Sequence, residues 1–261
     1  MLVPIFHHYP QSPIAEKIRM TFGIMGLEWY SVQIPRIPPK PLLTPLTGGY
    51  RRTPVLQVGA DIFCDSQCIA FQLGKLKSEK VAYDSSNRAL ELILGSFGEN
   101  ILFKLTVRIV LTTSMGVAPE DFIKDRGSLY FEPGWTVEEM QNSLPSVLLQ
   151  LQSAFELINH HLTSHGPYMN GNNPSYADAV IQHCVWFLCG RWDGGDSFIA
   201  PFKALIKHRD LITQMGHGSF VDCEPEEALQ IAKNHISTAP RGINCAYTGK
   251  LKIGERVLIR P

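Results

Sequence analysis

The sequence predicts an α/β domain followed by an all-α helical bundle domain. Through residue 76, short apolar runs bounded by turn residues alternate with helical patterns, which is typical of a small mixed sheet with helices. From residue 88 to about 205, apolar residues recur every three or four positions, as on amphipathic helices. A chain of 261 residues with 44% hydrophobic content can bury two such cores. We therefore expect domains over 1–76 and 88–205, a linker at 77–87 and a C-terminal extension over 206–261.

The first three elements are expected to be a strand, a helix and a second strand. Residues 2–7 form a short apolar run, and turn residues follow it. Ser12 is a typical N-cap, Pro13 suits the first position of a helix, and Gly26 ends the apolar stripe of that helix. The second strand is expected over residues 28–33. This order places Ser12 at the positive end of the first helix.

The composition changes between residues 34 and 49, where five prolines precede a pair of glycines: Pro35, Pro38, Pro39, Pro41 and Pro45. Prolines at this density disfavour a helix, because each lacks an N–H donor and restricts the residue before it. We expect a stiff, extended segment that acts as a lid beside the neighbouring site.

Two short strands joined by a tight turn are expected at 55–58 and 61–63, with Gly59 at the reversal. A proline at the start of a strand either lies on an edge or holds a special peptide geometry, so Thr53–Pro54 is a candidate cis bond. A cis-proline turns the N–H and C=O of the preceding residue outward, where an extended peptide can pair with them. Thr53 is therefore a candidate docking point for a peptide ligand.

Asp65 or Ser66 is expected to open the next helix. Free backbone N–H groups and the positive end of the helix dipole favour a carboxylate at such a position. Together with the proline turn, this helix start suits a small acidic peptide. The alternative interpretation is an ordinary hairpin followed by an N-capped helix, with no ligand.

The order strand, helix, strand, long connection, strand, strand, helix carries three sequence motifs. They are Ser-Pro-x-x-x-Lys-Ile-Arg at 12–19, Thr-Pro-Val-Leu at 53–56 and Asp-Ser at 65–66. This combination resembles the thioredoxin-like half of the glutathione transferase superfamily. The resemblance implies glutathione as co-substrate, bound by Arg52, Thr53, Pro54, Asp65 and Ser66. The proline-rich segment departs from the family pattern, which usually has a helix there, and Arg51 is a second candidate for the glycine-end carboxylate.

The second domain is expected to begin with a long amphipathic helix over about 89–109, in which Gly95 and Gly98 most simply serve packing. Residues 121–135 are aromatic and are expected to be irregular. Thr136 starts a capping box before another long helix, in which Pro145 is expected to produce a kink.

Ser175 and Asp178 form a second expected capping box, in which each side chain satisfies the other residue's free N–H. The apolar helix that follows closely resembles the central helix of the all-helical glutathione transferase domain. We therefore assign Ser175 and Asp178 a structural role.

Within the C-terminal extension, one helix is expected over 225–232 and a β-hairpin over 249–260. A hairpin alone is marginal, which leaves open whether the native chain continues.

Whole-chain properties narrow the function classes. A formal net charge of zero argues against nucleic acid or an anionic membrane as the main partner. No stretch approaches the roughly 18 uninterrupted apolar residues of a membrane span, and Met1 leads directly into a strand rather than a signal peptide. We expect a cytoplasmic enzyme. The six cysteines lack a disulfide pattern, and Cys64 and Cys68 have no third ligand nearby, so no metal site is expected.

If the resemblance holds, the chemistry is activation of the glutathione thiol, whose pKa of about 8.5 leaves only a few per cent thiolate at neutral pH. A hydroxyl at the start of the first helix stabilises the anion through its own hydrogen bond and lies where the helix dipole adds to that effect. Ser12 occupies this place, either as the thiol activator or as a plain N-cap, and Tyr9 is the rival donor. A serine cannot form the mixed disulfide that a cysteine would. Conjugation, isomerisation or ether cleavage is therefore favoured over thiol–disulfide exchange.

Three functions remain open at this point. The first is a homodimeric glutathione transferase acting on a small hydrophobic electrophile. The second is a non-catalytic protein of the same fold that binds or scaffolds. The third is a peroxidase or reductase that uses another thiol, such as Cys64.

Overall fold

The structure is a computed structural model, which describes residues 2–77 and 88–238 together with residues 249, 252 and 255. The predicted linker beyond Lys77 and the predicted hairpin over 249–260 lie outside the described elements. The elements of the first domain are β1 (Ile5–His8), α1 (Pro13–Met25), β2 (Glu28–Gln33), α2 (Thr44–Thr47), β3 (Val55–Val58), β4 (Asp61–Cys64) and α3 (Ser66–Leu76).

The second part of the chain is mostly helical. It contains α4 (Arg88–Phe97), a π-helical turn (Gly98–Leu102), α5 (Phe103–Thr113), α6 (Glu120–Tyr130), α7 (Val137–His165), α8 (Tyr176–Cys189), α9 (Gly195–Ile199), α10 (Lys203–Met215), β5 (Ser219–Asp222) and α11 (Pro225–Asn234). The predicted fold class, a thioredoxin-like α/β domain followed by an all-helical domain, is confirmed.

Within the ranges that the structure describes, the sheet has five strands in the order β4-β3-β1-β2-β5. Strands β1 and β2 are parallel, whereas β3 is antiparallel to both β1 and β4. The fifth strand was not predicted: β5 comes from the C-terminal extension and pairs in parallel with β2, with Glu28 opposite Ser219. All four residues of β5 are exposed, so the sequence shows no apolar alternation there.

Helix α1 starts and ends where its capping residues predict. Ser12 is the N-cap, Pro13 begins the helix, and Gly26 ends it in the left-handed region with φ of 58°. The helix packs on the sheet through Phe22, which stacks on Trp29 at a ring-centroid distance of 4.9 Å. The loop between β1 and the start of α1 carries Tyr9 and Ser12.

Helix α8 joins the two domains. Ser175 and Asp178 form the capping box at its start, and both are buried. Tyr176 and Val180 belong to the same apolar cluster as Phe22 of α1. Asp178 also accepts a hydrogen bond from His208 Nε2 on α10 at 2.9 Å, so one carboxylate links two helices of the bundle.

The helix expected over 89–109 is confirmed, since α4, the π-helical turn and α5 follow one another without a break. Gly98 within that turn lies against Val180 of α8. One expectation for the helical domain was wrong. Residues 121–135 are not irregular throughout, since α6 occupies Glu120–Tyr130. Helix α7 continues through Pro145 as one element of 29 residues. In the described part of the chain, no helix is both long enough and apolar enough to span a bilayer.

Candidate functional site

A cleft of about 430 Å³ lies where the first domain faces the helical domain. Its walls include every residue assigned above to catalysis or glutathione binding: Tyr9, Ser12, Arg52, Thr53, Pro54, Asp65 and Ser66. The helical domain contributes Glu99, Phe103 and Tyr130 to the same cleft. Residues that are more than 50 positions apart in the sequence are therefore brought to one site.

Ser12 lies at the start of α1 and is only 2% exposed. Its Oγ accepts a hydrogen bond from the Ala15 N–H at 3.1 Å, which is the N-cap contact. An oxygen that accepts at a cap retains its own proton as a donor. Within the described residues, that proton has no acceptor, so the hydroxyl can cap the helix and still donate into the cleft.

The loop that carries Ser12 is held by the buried Arg19. Its guanidinium donates to the carbonyl of Pro10 at 2.7 Å and also pairs with Glu16. The same guanidinium donates to His8 Nδ1 at 2.9 Å. Burial and the neighbouring charge of Arg19 lower the pKa of His8 to about 3, so this imidazole is neutral and accepts the bond. Glu16 is in turn bonded to His217, which precedes β5.

Tyr9, the rival donor, lies beside Arg126 of α6. Its hydroxyl accepts a hydrogen bond from the Arg126 guanidinium at 3.3 Å. The guanidinium of Arg126 also donates to the carbonyl of Arg36 and pairs with Asp125. These contacts place the Tyr9 hydroxyl at the helical side of the cleft.

The Thr53–Pro54 peptide bond is cis, and it lies at the start of β3. In the described part of the chain, neither the N–H nor the C=O of Thr53 has a hydrogen-bond partner. The Thr53 hydroxyl accepts a bond from Lys40 Nζ at 2.7 Å, and Lys40 Nζ also donates to the Arg51 carbonyl at 3.1 Å. The backbone N–H and C=O of Thr53 are therefore available to a ligand that enters the cleft, and the role of Thr53 as a docking point stays a prediction.

Lys40 was not among the predicted site residues, because it lies in the proline-rich segment. It is 7% exposed and lines the cleft. Burial lowers its pKa to about 8, and the nearby charges of Arg126 and Arg51 act in the same direction. No carboxylate of the described residues pairs with it. An anionic group that entered the cleft would therefore meet a buried cation that has only neutral partners.

Asp65 is the N-cap of α3 and has a positive φ of 72°, which is unusual for a residue other than glycine. Its carboxylate accepts the N–H groups of Gln67 and Cys68 at 2.9 and 3.2 Å. The Asp65 side chain is exposed, and the Ser66 side chain behind it is buried. The strained backbone of Asp65 is a common feature of ligand-binding positions.

Glu99 is a second site residue that the sequence analysis missed. It lies in the π-helical turn, where the Ser66 hydroxyl donates to its Oε1 at 2.6 Å and the buried Lys17 forms an ion pair with it. Burial alone would raise the pKa of Glu99, but the charge of Lys17 and the hydrogen bonds from Lys17 and Ser66 hold the pKa below its ordinary value. Ionised Glu99 therefore places a carboxylate, paired with Lys17, at the end of the cleft beside Ser66.

The two arginines before Thr53 differ in their surroundings. Arg51 forms an ion pair with Asp125 of α6 at 2.7 Å. Arg52 is exposed and has no ion-pair partner in the described part of the chain. Arg52 is thus the better placed of the two to reach for a carboxylate in the cleft.

A smaller cavity of about 170 Å³ adjoins the cleft and shares Tyr9, Arg36, Phe103, Arg126 and Tyr130 with it. Its interior is mainly apolar, with Val107, Val110, Leu111, Phe122 and Phe187 on its walls. A polar cleft next to a small apolar cavity can hold a peptide and a hydrophobic molecule side by side.

The cysteines contribute little to the chemistry of the cleft. Burial raises the pKa of the Cys64 thiol, and the nearby Cys68 and Asp65 raise it further. A thiol shifted in this direction is less reactive at neutral pH. Among the described residues, no group of three or more His, Cys, Asp or Glu side chains could hold a metal ion.

Residues 6–80 match the family model described as the N-terminal domain of glutathione S-transferase. The chain is also similar to the crystal structure of a GST-like protein from Pseudomonas syringae, with 32% identity, a TM-score of 0.73, and coverage of 93% of this chain and 77% of that chain. The chain therefore belongs to the glutathione S-transferase family.

More distant solved structures share the fold. One is a glutathione transferase family member from Pseudomonas fluorescens with two glutathione bound, at 12% identity and a TM-score of 0.62, covering 82% of this chain and 92% of that one. Another is a glutathione S-transferase of Ceriporiopsis subvermispora in complex with glutathione, at 18% identity and a TM-score of 0.64, covering 82% and 97%. No curated protein sequence matches the chain.

Proposed function

We propose that this protein is a glutathione transferase that activates the glutathione thiol for attack on a small hydrophobic electrophile. The observation that carries the proposal is the arrangement of Ser12, the open backbone of Thr53 and the start of α3 around one cleft, which adjoins a small apolar cavity. The distant relatives solved with glutathione bound add support for the co-substrate.

Glutathione is expected to lie across the cleft with its γ-glutamyl end at Asp65 and Ser66. At the start of α3, the N–H groups of Gln67 and Cys68 are already bonded to Asp65. The Ser66 N–H is therefore the one that suits the γ-glutamyl carboxylate, and the carboxylates of Asp65 and Glu99 suit the ammonium group. The cysteinyl part would pair with the backbone of Thr53. Arg52 and Lys40 are the cations available for the glycine carboxylate at the other end.

The reaction needs a thiolate near Ser12. In the proposed step, the Ser12 hydroxyl donates to the sulfur, and the positive end of α1 stabilises the same charge. The thiol proton passes to solvent. The sulfur electron pair then forms a bond to the electrophilic carbon, and a leaving group, where there is one, departs with its bonding pair. Glutathione-dependent isomerisation or ether cleavage would begin with the same thiolate.

One observation favours a second candidate, a protein that binds glutathione without activating it. The Ser12 Oγ already has a role as the cap of α1, and that role alone accounts for a serine at this position. A peroxidase or reductase that uses Cys64 is less favoured, because the pKa of that thiol is raised.

Two measurements separate these candidates. Retention on immobilised glutathione, followed by elution with free glutathione, tests binding. A protein that is not retained, or that free glutathione does not elute, would contradict both candidates. The thiolate absorbance of bound glutathione against pH tests activation. A midpoint at least one pH unit below that of free glutathione supports the transferase, whereas an unshifted midpoint supports the binding protein.

We also propose that the protein acts as a homodimer. Three apolar side chains on one face of α4 and the following turn are exposed: Leu90 by 43%, Ile93 by 64% and Ile101 by 47%. Their spacing of three and eight residues puts them on one stripe, which a second copy would cover. Sedimentation should give a dimer at micromolar concentration for the natural protein and a monomer for Ile93→Glu. A monomeric natural protein would rule the assembly out.

A further inference from the structure

The small cavity next to the cleft limits the size of the second substrate. Its volume is about 170 Å³. An engineered apolar cavity of about 150 Å³ in another protein accommodates one benzene molecule. The cavity therefore has room for a single aromatic ring or a short aliphatic chain of similar volume, and not for a fused-ring system.

Charge at the cavity mouth is unbalanced. Among the described residues that line the cavity, three are arginines, namely Arg36, Arg126 and Arg191, and none is acidic. Arg126 pairs with Asp125 at 2.8 Å, a carboxylate that it shares with Arg51. Arg36 and Arg191 have no ion-pair partner in the described part of the chain. An apolar cavity with unpaired guanidinium groups at its mouth suits a molecule that has an apolar body and an anionic end.

Arg36 is the better placed of these two cations. Its guanidinium carbon lies 4.5 Å from the centre of the Phe122 ring, and it lines both the cavity and the cleft. Stacking on Phe122 orients the planar guanidinium, which can then present two N–H groups to a carboxylate. Arg191 lies in the turn after α8 and lines the small cavity but not the cleft.

We propose that the second substrate is a single-ring or similarly small apolar electrophile that carries a carboxylate, and that Arg36 binds this carboxylate. The inference rests on the proposed function, because it assigns the substrate class of the same site. The apolar body occupies the cavity, the carboxylate stays at its mouth, and the reactive carbon faces the sulfur of glutathione.

Binding is tested first with a pair of unreactive ligands, 3-phenylpropanoate and 3-phenylpropanamide. They differ in charge but hardly in size. Calorimetric titration is performed on the full chain saturated with glutathione, and again without it. We expect the carboxylate to bind about five- to tenfold more tightly than the amide, since a charged hydrogen bond, discounted for the solvent around the exposed Arg36, is worth about that factor.

Three variants locate the effect. Arg36→Gln should reduce the preference for the carboxylate to less than twofold. Lys124→Gln makes the same change of charge on α6, at a side chain that lines neither cavity, and should leave the preference intact. Ala118→Phe adds a ring inside the small cavity and should weaken both ligands.

Several results would overturn the inference. They are equal or tighter binding of the amide, a preference that survives in folded Arg36→Gln, and displacement of the carboxylate by glutathione. Displacement would mean that the carboxylate occupies the glycine-end position of glutathione instead.

Turnover is then compared between 3-(chloromethyl)benzoate, in which the carboxylate and the reactive carbon can both face the cavity mouth, and its uncharged methyl ester. In both, a sulfur–carbon bond forms and chloride leaves with the bonding pair, so only the carboxylate differs. We expect kcat/KM to favour the acid by the same five- to tenfold. If the ligand preference holds but the bound thiol keeps its solution pKa, the proposed function fails and the assignment of the cavity stands. If the thiol is activated and the preference is absent, the assignment fails alone.

Discussion

Replacing Ser12 separates its two roles, since the hydroxyl accepts at the cap of α1 and is proposed to donate to the sulfur. Ser12→Ala removes both contacts. The lost cap costs about 1 kcal/mol in the free energy of unfolding. The lost donor to an anion is worth about 1.5–3 kcal/mol, which raises the pKa of the bound thiol by about one to two units. Part of the stabilisation by the helix dipole remains, because α1 itself is retained.

Ser12→Gly and Ser12→Thr are the matched controls. Glycine at an N-cap costs only a few tenths of a kcal/mol, so Ser12→Gly removes the donor with little loss of stability. Ser12→Thr retains both the cap and the hydroxyl. If Ser12 activates the thiol, Ala and Gly should raise the thiol pKa equally, although their stabilities differ, and Thr should stay near the natural protein.

The assay is the thiolate absorbance of bound glutathione as a function of pH, with glutathione affinity and turnover measured on the same samples. Turnover at neutral pH should fall by about ten- to a hundredfold in Ser12→Ala, while affinity changes little. A thiol pKa that shifts in Tyr9→Phe and not in the Ser12 variants would refute the reasoning and assign the donor role to Tyr9.

Three further predictions concern other parts of the molecule. The affinity for S-methylglutathione, which has no thiol to ionise, should fall as pH rises through about 8, because Lys40 is charged only below its lowered pKa. Lys40→Arg should remove this component of the pH dependence. If the affinity of Lys40→Arg depends on pH as that of the natural protein does, Lys40 is excluded as a ligand. Burial raises the pKa of Glu91 from 4.5 to about 7, so the folded state loses stability as pH rises between these values. In urea unfolding, Glu91→Gln should therefore be more stable than the natural protein by about 2–3 kcal/mol at pH 8 and equal to it near pH 4.5. Equal stability of the two proteins at both pH values would contradict this. Gly98→Ala places a Cβ 2.1 Å from Val180 and should lower the free energy of unfolding by about 1–3 kcal/mol. Gly95→Ala, in the preceding α4, meets only the side chains of Gln67 and Tyr176 at 3.4–3.5 Å and should be neutral or slightly stabilising. Thermal unfolding that ranks the two variants in the reverse order would show that the π-helical turn can move away from α8.

Features that depend on neighbouring residues were predictable from the sequence. Helix α1 begins at Ser12 and Pro13 and ends at Gly26, since capping uses side chains within one turn of the helix end. The strand Val55–Val58 follows from its apolar residues and the turn at Gly59 in the same way.

Features that depend on distant contacts were not predictable. Helix α6 has only two buried residues, Ile123 and Gly127, so the sequence shows no apolar stripe there. It is held instead by Trp135, whose indole lies where a side chain at Gly127 would be. Lys40 and Glu99 belong to the site only because the proline-rich segment and the π-helical turn bring them to the cleft, and neither placement has a local signal.

The contribution of β5 to the sheet has a consequence for the synthesis of the protein. Glu16 and His217, whose hydrogen bond fastens β5 beside the loop that carries Ser12, are separated by 201 positions. Strand β2 keeps an unpaired edge until β5 arrives, and exposed edges promote association between chains. The sheet is therefore completed only when a ribosome has released most of the helical domain. During that interval, nascent chains are exposed to pairing with one another, and a chain terminated before residue 219 would retain the open edge permanently.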